Sequence, residues 1–245
     1  MSLHIDTAMV LAAGLGTRMR PLSADRPKPM IEVGGKALID HMLDKLAADG
    51  VMRAVVNVHY RADQLEAHLA ARQAAGKGPE IVISDERAEL LETGGALVKA
   101  RHLLGDRPIF VMNTDQVWLE GARLILPTLR EAWDAERMDA LLMLAGGIGV
   151  MGYQGAGDFT MDPVGRVARR RAPFIAPFVF AGVYILDPQV LDGRLVERFS
   201  ANRYWDDSLE AGRLYGRRFD GRWMHVGDPR ARREADLVLS REQWV

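Results

Sequence analysis

The chain predicts an α/β fold, a mostly parallel mixed sheet flanked by helices. Short apolar runs alternate with amphipathic stretches at the spacing of β-α-β units. The first run, Ala8 to Ala13, is apolar throughout, as in a strand buried on both faces. Two chemically distinctive segments, Gly14-Leu15-Gly16 and Asn113-Thr114-Asp115, directly follow predicted strands. Ligands bind such sheets at the carboxyl ends of their strands, so the two segments point to one shared cleft.

The remaining elements follow in order. Lys36 to Asp49 reads as a helix with Leu38, Met42 and Leu46 on one side, ended by Gly50. Arg53 to Val58 is a second strand, and Asp63 to Ala75 a helix stopped by Gly76 and Gly78. Glu80 to Ser84 is a third strand, Thr93 to Leu104 a helix opening on a glycine pair, and Pro108 to Met112 a fourth strand. Leu124 to Ala135 is a further helix and Ala140 to Leu144 a further strand. After Gly146 the pattern changes. Gly157 to Asp162 suggests a short strand and turn, Val164 to Arg170 a hairpin arm, and Pro177 to Leu186 an apolar run around Gly182. Val190 to Phe199 reads as helix, Arg213 to Val226 as strand, and Asp228 to Leu239 as a closing helix.

A length of 245 residues permits one large domain, and no repeat, low-complexity tract or linker divides it. The net charge of -1 supplies no pull toward nucleic acid or an anionic membrane. Basic and aromatic residues are not interleaved as single-strand binding needs. The absence of cysteine excludes disulfides, thiolate metal sites and thiol nucleophiles, and fits a reducing cytoplasm, the expected location. No basic-then-apolar leader opens the chain, and no run approaches the ~18 apolar residues of a membrane span. A monomer or small homo-oligomer is expected.

The densest chemistry lies between Met9 and Lys28, where Gly14 and Gly16 precede Arg18, Arg20 and Lys28. Glycines let backbone N–H groups approach an anion, and arginines clamp phosphate oxygens with forked geometry. The loop is not a Walker loop, because Thr17 and Arg18 stand after Gly16 in place of Lys-Ser/Thr. Nor is it a dinucleotide fingerprint, because Met19 replaces the third glycine. A nucleotide phosphate is predicted, its class left open. Asp115, at the tip of a strand, can hold Mg²⁺ against triphosphate oxygens; an Asx turn is the competing reading.

Residues 14–22 (GLGTRMRPL), continued by Arg26-Pro27-Lys28-Pro29-Met30, resemble the signature of sugar-1-phosphate nucleotidylyltransferases. Within them the chain is most similar, from Ala8 to about Ala235, to the short bacterial N-acetylmuramate-1-phosphate uridylyltransferases. The resemblance implies a Rossmann-like, GT-A-like fold of the nucleotide-diphospho-sugar transferase type. It implies a single domain over 1–245, with a nucleotide-binding part at about 1–145 and a sugar-phosphate part at about 146–245. The implied reaction joins a nucleoside triphosphate to a sugar 1-phosphate and releases pyrophosphate, most directly UTP with N-acetyl-α-muramate 1-phosphate. Mannose 1-phosphate with GTP, glucose 1-phosphate with UTP or dTTP, and a non-catalytic sensor are the rival readings.

The resemblance also assigns residues. Arg18, Lys28 and Asp115 are the catalytic set. Leu11, Ala12, Ala13, Gly14, Gly16, Thr17 and Arg18, with Glu92, Thr93, Gly94 and Gly95, are assigned to the nucleotide. Lys28, Asn113, Asp158, Arg170 and Gly182 are assigned to the sugar phosphate, Gly182 by making room for the ligand; a β-bulge or close strand packing is its alternative. Arg171 competes with Arg170. Asp115 is the implied ligand of Mg²⁺, or of Mn²⁺. His225 stands where these enzymes carry a second magnesium aspartate, and an imidazole there suits softer divalent ions better than Mg²⁺; a structural histidine packed on Trp223 is the other reading.

Overall fold

The computed structural model describes residues 3–242. Strand β1 (Thr7–Leu11) leads through the glycine loop to a small hairpin, β2 (Glu32–Val33) and β3 (Lys36–Ala37), and then to α1 (Leu38–Ala48). Next come β4 (Arg53–Val58), α2 (Ala62–Ala74), β5 (Glu80–Asp85), α3 (Glu92–Leu104), β6 (Ile109–Asn113), β7 (Gln116–Leu119) and α4 (Ile125–Ala132). The later part holds β8 (Ala140–Gly146), β9 (Val150–Met151), β10 (Phe159–Met161), β11 (Val167–Arg169) and β12 (Phe178–Leu186). It closes with α5 (Asn202–Glu210), β13 (Leu214–Arg218), β14 (Arg222–His225) and α6 (Pro229–Glu242).

Strands β5, β4, β1 and β6 lie side by side and parallel. Antiparallel β12 then pairs β6 on one side and β8 on the other, and β13 adds parallel to β8. The short β10–β11 pair attaches to the start of β12. Strands from both halves of the chain thus share one mixed sheet. Its core follows from strand alternation. Ala8, Val10, Ala54, Val56, Phe110 and Met112 face α1, α2 and α4, while Met9, Val55, Ile109 and Val111 face α3 and α5. A third cluster of Met19, Ile31, Val33, Val117, Met224 and Val226 fastens the glycine loop to the small β7–β14–β9 sheet.

Two expected helices begin or lie elsewhere. Lys36 and Ala37 pair with Val33 and Glu32, so the first helix starts at Leu38. The helix expected over Val190 to Phe199 is absent, and one forms over Asn202–Glu210 instead. Its apolar residues mimic a helical period, but Gly193 takes φ 72° and Leu195 and Val196 stay exposed. The backbone beyond them is recruited by α3. Gly94 and Gly95 N–H both donate to the Phe199 carbonyl, at 2.8 and 3.2 Å, and Phe199 N–H donates to Leu91 O.

The scaffold also holds one costly carboxylate. Asp49 ends α1, where the helix dipole disfavours negative charge. Its Oδ1 accepts from Arg130 at 3.0 Å, while its Oδ2 is buried with no partner among the described residues. Burial raises its pKa to about 6, against the pull of Arg130. The unfolded chain therefore gives up this proton near pH 4 and the folded chain only near pH 6, so this group's contribution to stability falls as pH rises through that window. Asp49→Asn removes the effect. Relative to wild type, the variant should gain about 2 kcal/mol between pH 4 and pH 7, from roughly 1.4 kcal/mol per pKa unit. Urea unfolding at the two pH values tests this, and an unchanged difference would overturn it.

Candidate active site

A cavity of about 510 Å³ opens at the carboxyl ends of β1 and β6. Leu11, Ala12, Ala13, Gly14, Gly16, Thr17 and Arg18 line it, together with Lys28, Glu92, Thr93, Asn113 and Asp115. The loop is braced from within. Gly16 takes φ 62°, and a Cβ there would sit 2.9 Å from the Lys28 Cβ, so only glycine lets the two ends of the loop meet. Ser23 Oγ donates to Gly16 O at 2.7 Å, and Met19 N–H to the same oxygen at 2.9 Å. The N–H groups of Ala13, Gly14 and Leu15 have no protein acceptor among the described residues, which leaves them to an anion or to water.

Asp115 is brought to the cavity by β6, and the small sheet brings His225 to it. His225 pairs with Gln116 across β14 and β7, and Val226 N–H donates to Asp115 O at 2.8 Å. Asp115 Oδ2 then lies 3.2 Å from Lys28 Nζ and 3.5 Å from His225 Nε2. Burial works to raise the Asp115 pKa, but Lys28 and His225 prevail and hold the carboxyl well below the usual range. The His225 ring stacks parallel on Trp223, with centroids 5.9 Å apart, and Trp223 Nε1 is held by the Ala181 carbonyl. The ring thus packs on Trp223 while its Nε2 faces the Asp115 carboxylate.

Among the described residues no group of three or more His, Cys, Asp or Glu side chains converges on a point. The described residues thus form no cage of protein ligands alone. A Mg²⁺ shared between one carboxylate and substrate phosphates fits, because this ion keeps waters and takes phosphate oxygens readily.

A second cavity of about 280 Å³ adjoins the first through Leu11, Thr93, Asn113 and Ser200. Asp158 lines it, with Phe159, Phe180, Tyr184 and Trp205. Asp158 Oδ2 accepts from Phe180 N–H at 2.9 Å and Oδ1 from Tyr153 Oη at 3.4 Å.

Three expectations take different form here. Gly94 and Gly95 do not line either cavity. Their N–H groups are occupied by Phe199 O, and a Cβ on Gly95 would overlap the Glu197 carbonyl oxygen, so the pair makes room for backbone, not for a base. Gly182, with φ 75°, is a bulge in β12 whose missing side chain admits the buried Gln116 amide, not a ligand. Gln116 Nε2 donates to Gly182 O at 2.9 Å. Arg170 braces its own loop, donating to Gly157 O at 3.1 Å and Phe174 O at 3.3 Å; the neighbouring Arg169 lines the second cavity.

Sequence reasoning missed a buried strut beneath the loop. Asn57 accepts from Ala12 N–H at 2.6 Å and donates to Glu86 Oε1 at 2.8 Å, and Glu86 Oε2 accepts from Leu91 N–H. It ties β1, β4, β5 and the start of α3 together. An amide inside the apolar run Ala54 to Val58 was the available signal.

A braced loop of free N–H groups, two cations and one ionised carboxylate around a single cleft is equipment for phosphoryl-group chemistry. The sequence profile of the nucleotidyl transferase family matches residues 7–149. The chain belongs to this family and is a nucleotidyltransferase. It is 51% identical over 240 residues to N-acetylmuramate alpha-1-phosphate uridylyltransferase of Caulobacter vibrioides, covering 98% of this chain and 99% of that one. It is 32% identical over 228 residues to mannose-1-phosphate guanyltransferase of Neurospora crassa, covering 91% of this chain but only 61% of that longer protein. In fold it resembles UDP-glucose pyrophosphorylase complexed with UDP-glucose, with a TM-score of 0.78 at 15% identity over 98% of this chain and all of that one. The inositol-1-phosphate CTP transferase of T. maritima superimposes similarly, with a TM-score of 0.77 at 16% identity over 100% and 99% of the two chains.

Proposed function

We propose that the chain transfers uridylyl from UTP to N-acetyl-α-muramate 1-phosphate, giving UDP-N-acetylmuramate and pyrophosphate. The identity of about half of all residues with the Caulobacter uridylyltransferase, across essentially both whole chains, carries this reading. The larger cavity takes the nucleotide and the adjoining smaller one the sugar. Accordingly residues up to about 145 serve mainly the nucleotide and later ones mainly the sugar. All these groups come from one chain, so a monomer suffices, although a small homo-oligomer is compatible.

In this reading the sugar phosphate attacks the α-phosphorus of UTP, a new P–O bond forms, and the bond to the β-phosphate breaks with pyrophosphate leaving on the opposite side. The nucleophile is already an anion and needs no general base, so alignment and charge neutralisation supply the catalysis. The free N–H groups of the glycine loop and Arg18 hold the β- and γ-phosphates. Lys28, released from Asp115, lowers repulsion between the attacking phosphate and the donor. Asp115, with the phosphates, would hold Mg²⁺ or Mn²⁺, whose charge polarises the phosphoryl oxygens. Among the described residues no helix is long and apolar enough to cross a membrane. We place the enzyme in the cytoplasm, where nucleoside triphosphates are supplied.

Pyrophosphate release tests the reading. UTP, GTP, dTTP, CTP and ATP are each paired with the 1-phosphates of N-acetylmuramate, N-acetylglucosamine, glucose and mannose, with Mg²⁺ and then Mn²⁺. Release with UTP and N-acetylmuramate 1-phosphate above all other pairs is expected. Preference for another pair would overturn the substrate assignment. Nucleotide binding without release from any pair would favour a sensor and overturn the assigned chemistry.

A further inference from the structure

The smaller cavity has an aromatic floor. Phe180, Tyr184 and Trp205 meet edge to face with centroids 4.7–5.8 Å apart, and Phe159 joins them. Such a floor suits the apolar face of a sugar ring. Its lining carries a single cation among the described residues, Arg169 at the end of β11. That guanidinium is held in place. Nε donates to Asp206 Oδ1 at 2.6 Å, Nη2 donates to Asn202 Oδ1 at 3.0 Å, and the group lies 5.3 Å over the Phe159 ring. Its Nη1 makes no hydrogen bond among the described residues. Asp158 is the cavity's own acid, but its oxygens accept from Phe180 N–H and Tyr153 Oη. The phosphate-facing cations, Arg18 and Lys28, line the other cavity.

We propose that Arg169 is a specificity-determining residue that reads an acidic substituent on the sugar, its uncommitted Nη1 edge receiving the carboxylate. The inference rests on the proposed function and names the group by which this site tells a muramyl from a glucosaminyl phosphate. These two sugars differ in one lactyl ether, which carries that carboxylate. The lactyl acid gains a charge-assisted hydrogen bond to a guanidinium already pinned on its other edge. A neutral hexosamine offers no anion there. Asp206 is a positioning residue, because it holds Arg169 against Phe159 from outside the cavity lining; Asn202 helps hold the guanidinium and itself lines the cavity.

The test compares kcat/KM for N-acetylmuramate 1-phosphate, its lactyl amide and N-acetylglucosamine 1-phosphate, with saturating UTP. Wild type should prefer the acid over both others by roughly 10- to 100-fold, the range of a hydrogen bond to a charged group. Arg169→Met should compress that preference to within about threefold, chiefly through KM for the acid, and Arg169→Lys should retain part of it. The amide comparison uses wild type alone, so it stands even if a variant folds poorly. An unchanged preference in Arg169→Met, or equal use of acid and amide by wild type, would overturn the proposal. So would an equal fall for all three sugars, which would mark Arg169 as only a tie between β11 and α5. If wild type turns over other sugar phosphates but not the muramyl one, the functional reading itself fails and this inference with it.

Discussion

Asp115→Asn should lower kcat about a thousand-fold while leaving the fold intact and UTP bound. The magnitude is that of losing a preorganised charge group at a phosphoryl-transfer centre. The substitution keeps the shape of the side chain, and the position opens to the cavity, with 30% of the side chain exposed. Removing the charge frees Lys28 and His225 from their shared partner, so the site becomes more positive. Affinity for UTP without metal should therefore hold or rise while turnover collapses. Calorimetric titration with UTP separates these effects from unfolding, and Mn²⁺ electron paramagnetic resonance reports whether the carboxylate is needed to retain the ion. Full activity in the variant would remove Asp115 from the mechanism.

Gly95→Ala should cost about 3 kcal/mol, although alanine ordinarily strengthens a helix by about 1 kcal/mol over glycine. A methyl group at this position meets the Glu197 carbonyl, which is backbone and cannot turn aside. Relief requires α3 and the 197–199 segment to draw apart, which weakens the bonds from Gly94 and Gly95 to Phe199 O and from Ala201 N–H to Thr93 Oγ1. Overpacking of about 1–3 kcal/mol plus about 1 kcal/mol in all for the weakening of these three bonds sets the figure. At roughly 2–4 °C per kcal/mol for a chain of this size, the melting temperature should drop by about 10 °C. Thr93 and Ser200 line both cavities, so KM for both substrates should rise as well. A melting temperature equal to or above wild type would show that the contact yields easily.

The two halves of the chain differ in how far they could be read. Up to residue 144 most elements fall within a residue or two of their sequence-derived bounds, because each βαβ step is a local pattern of apolar run, turn and amphipathic helix. The short β7 and the β2–β3 hairpin escaped, being too brief to show a period. Beyond Gly146 the failed helix over Val190 to Phe199 shows the limit: a periodic apolar stretch was taken up by a neighbouring helix whose first N–H groups use the Phe199 carbonyl.

The sequence by itself determined the glycine loop, its cations Arg18 and Lys28, and Asp115 at a strand end. Those features depend on residues close together in the chain and on the rule that such sheets open at their carboxyl ends. The resemblance put His225 near Asp115, and tertiary structure decided how it gets there: strand register between β7 and β14 sets that meeting across 110 residues of chain. It also decided that Arg169, not Arg170, lines the sugar-sized cavity, and that Gly95 and Gly182 accommodate protein. Successive strand residues face opposite ways, and a missing side chain leaves room on one side only. Which partner fills that room is set by packing between distant segments, and no local pattern encodes it.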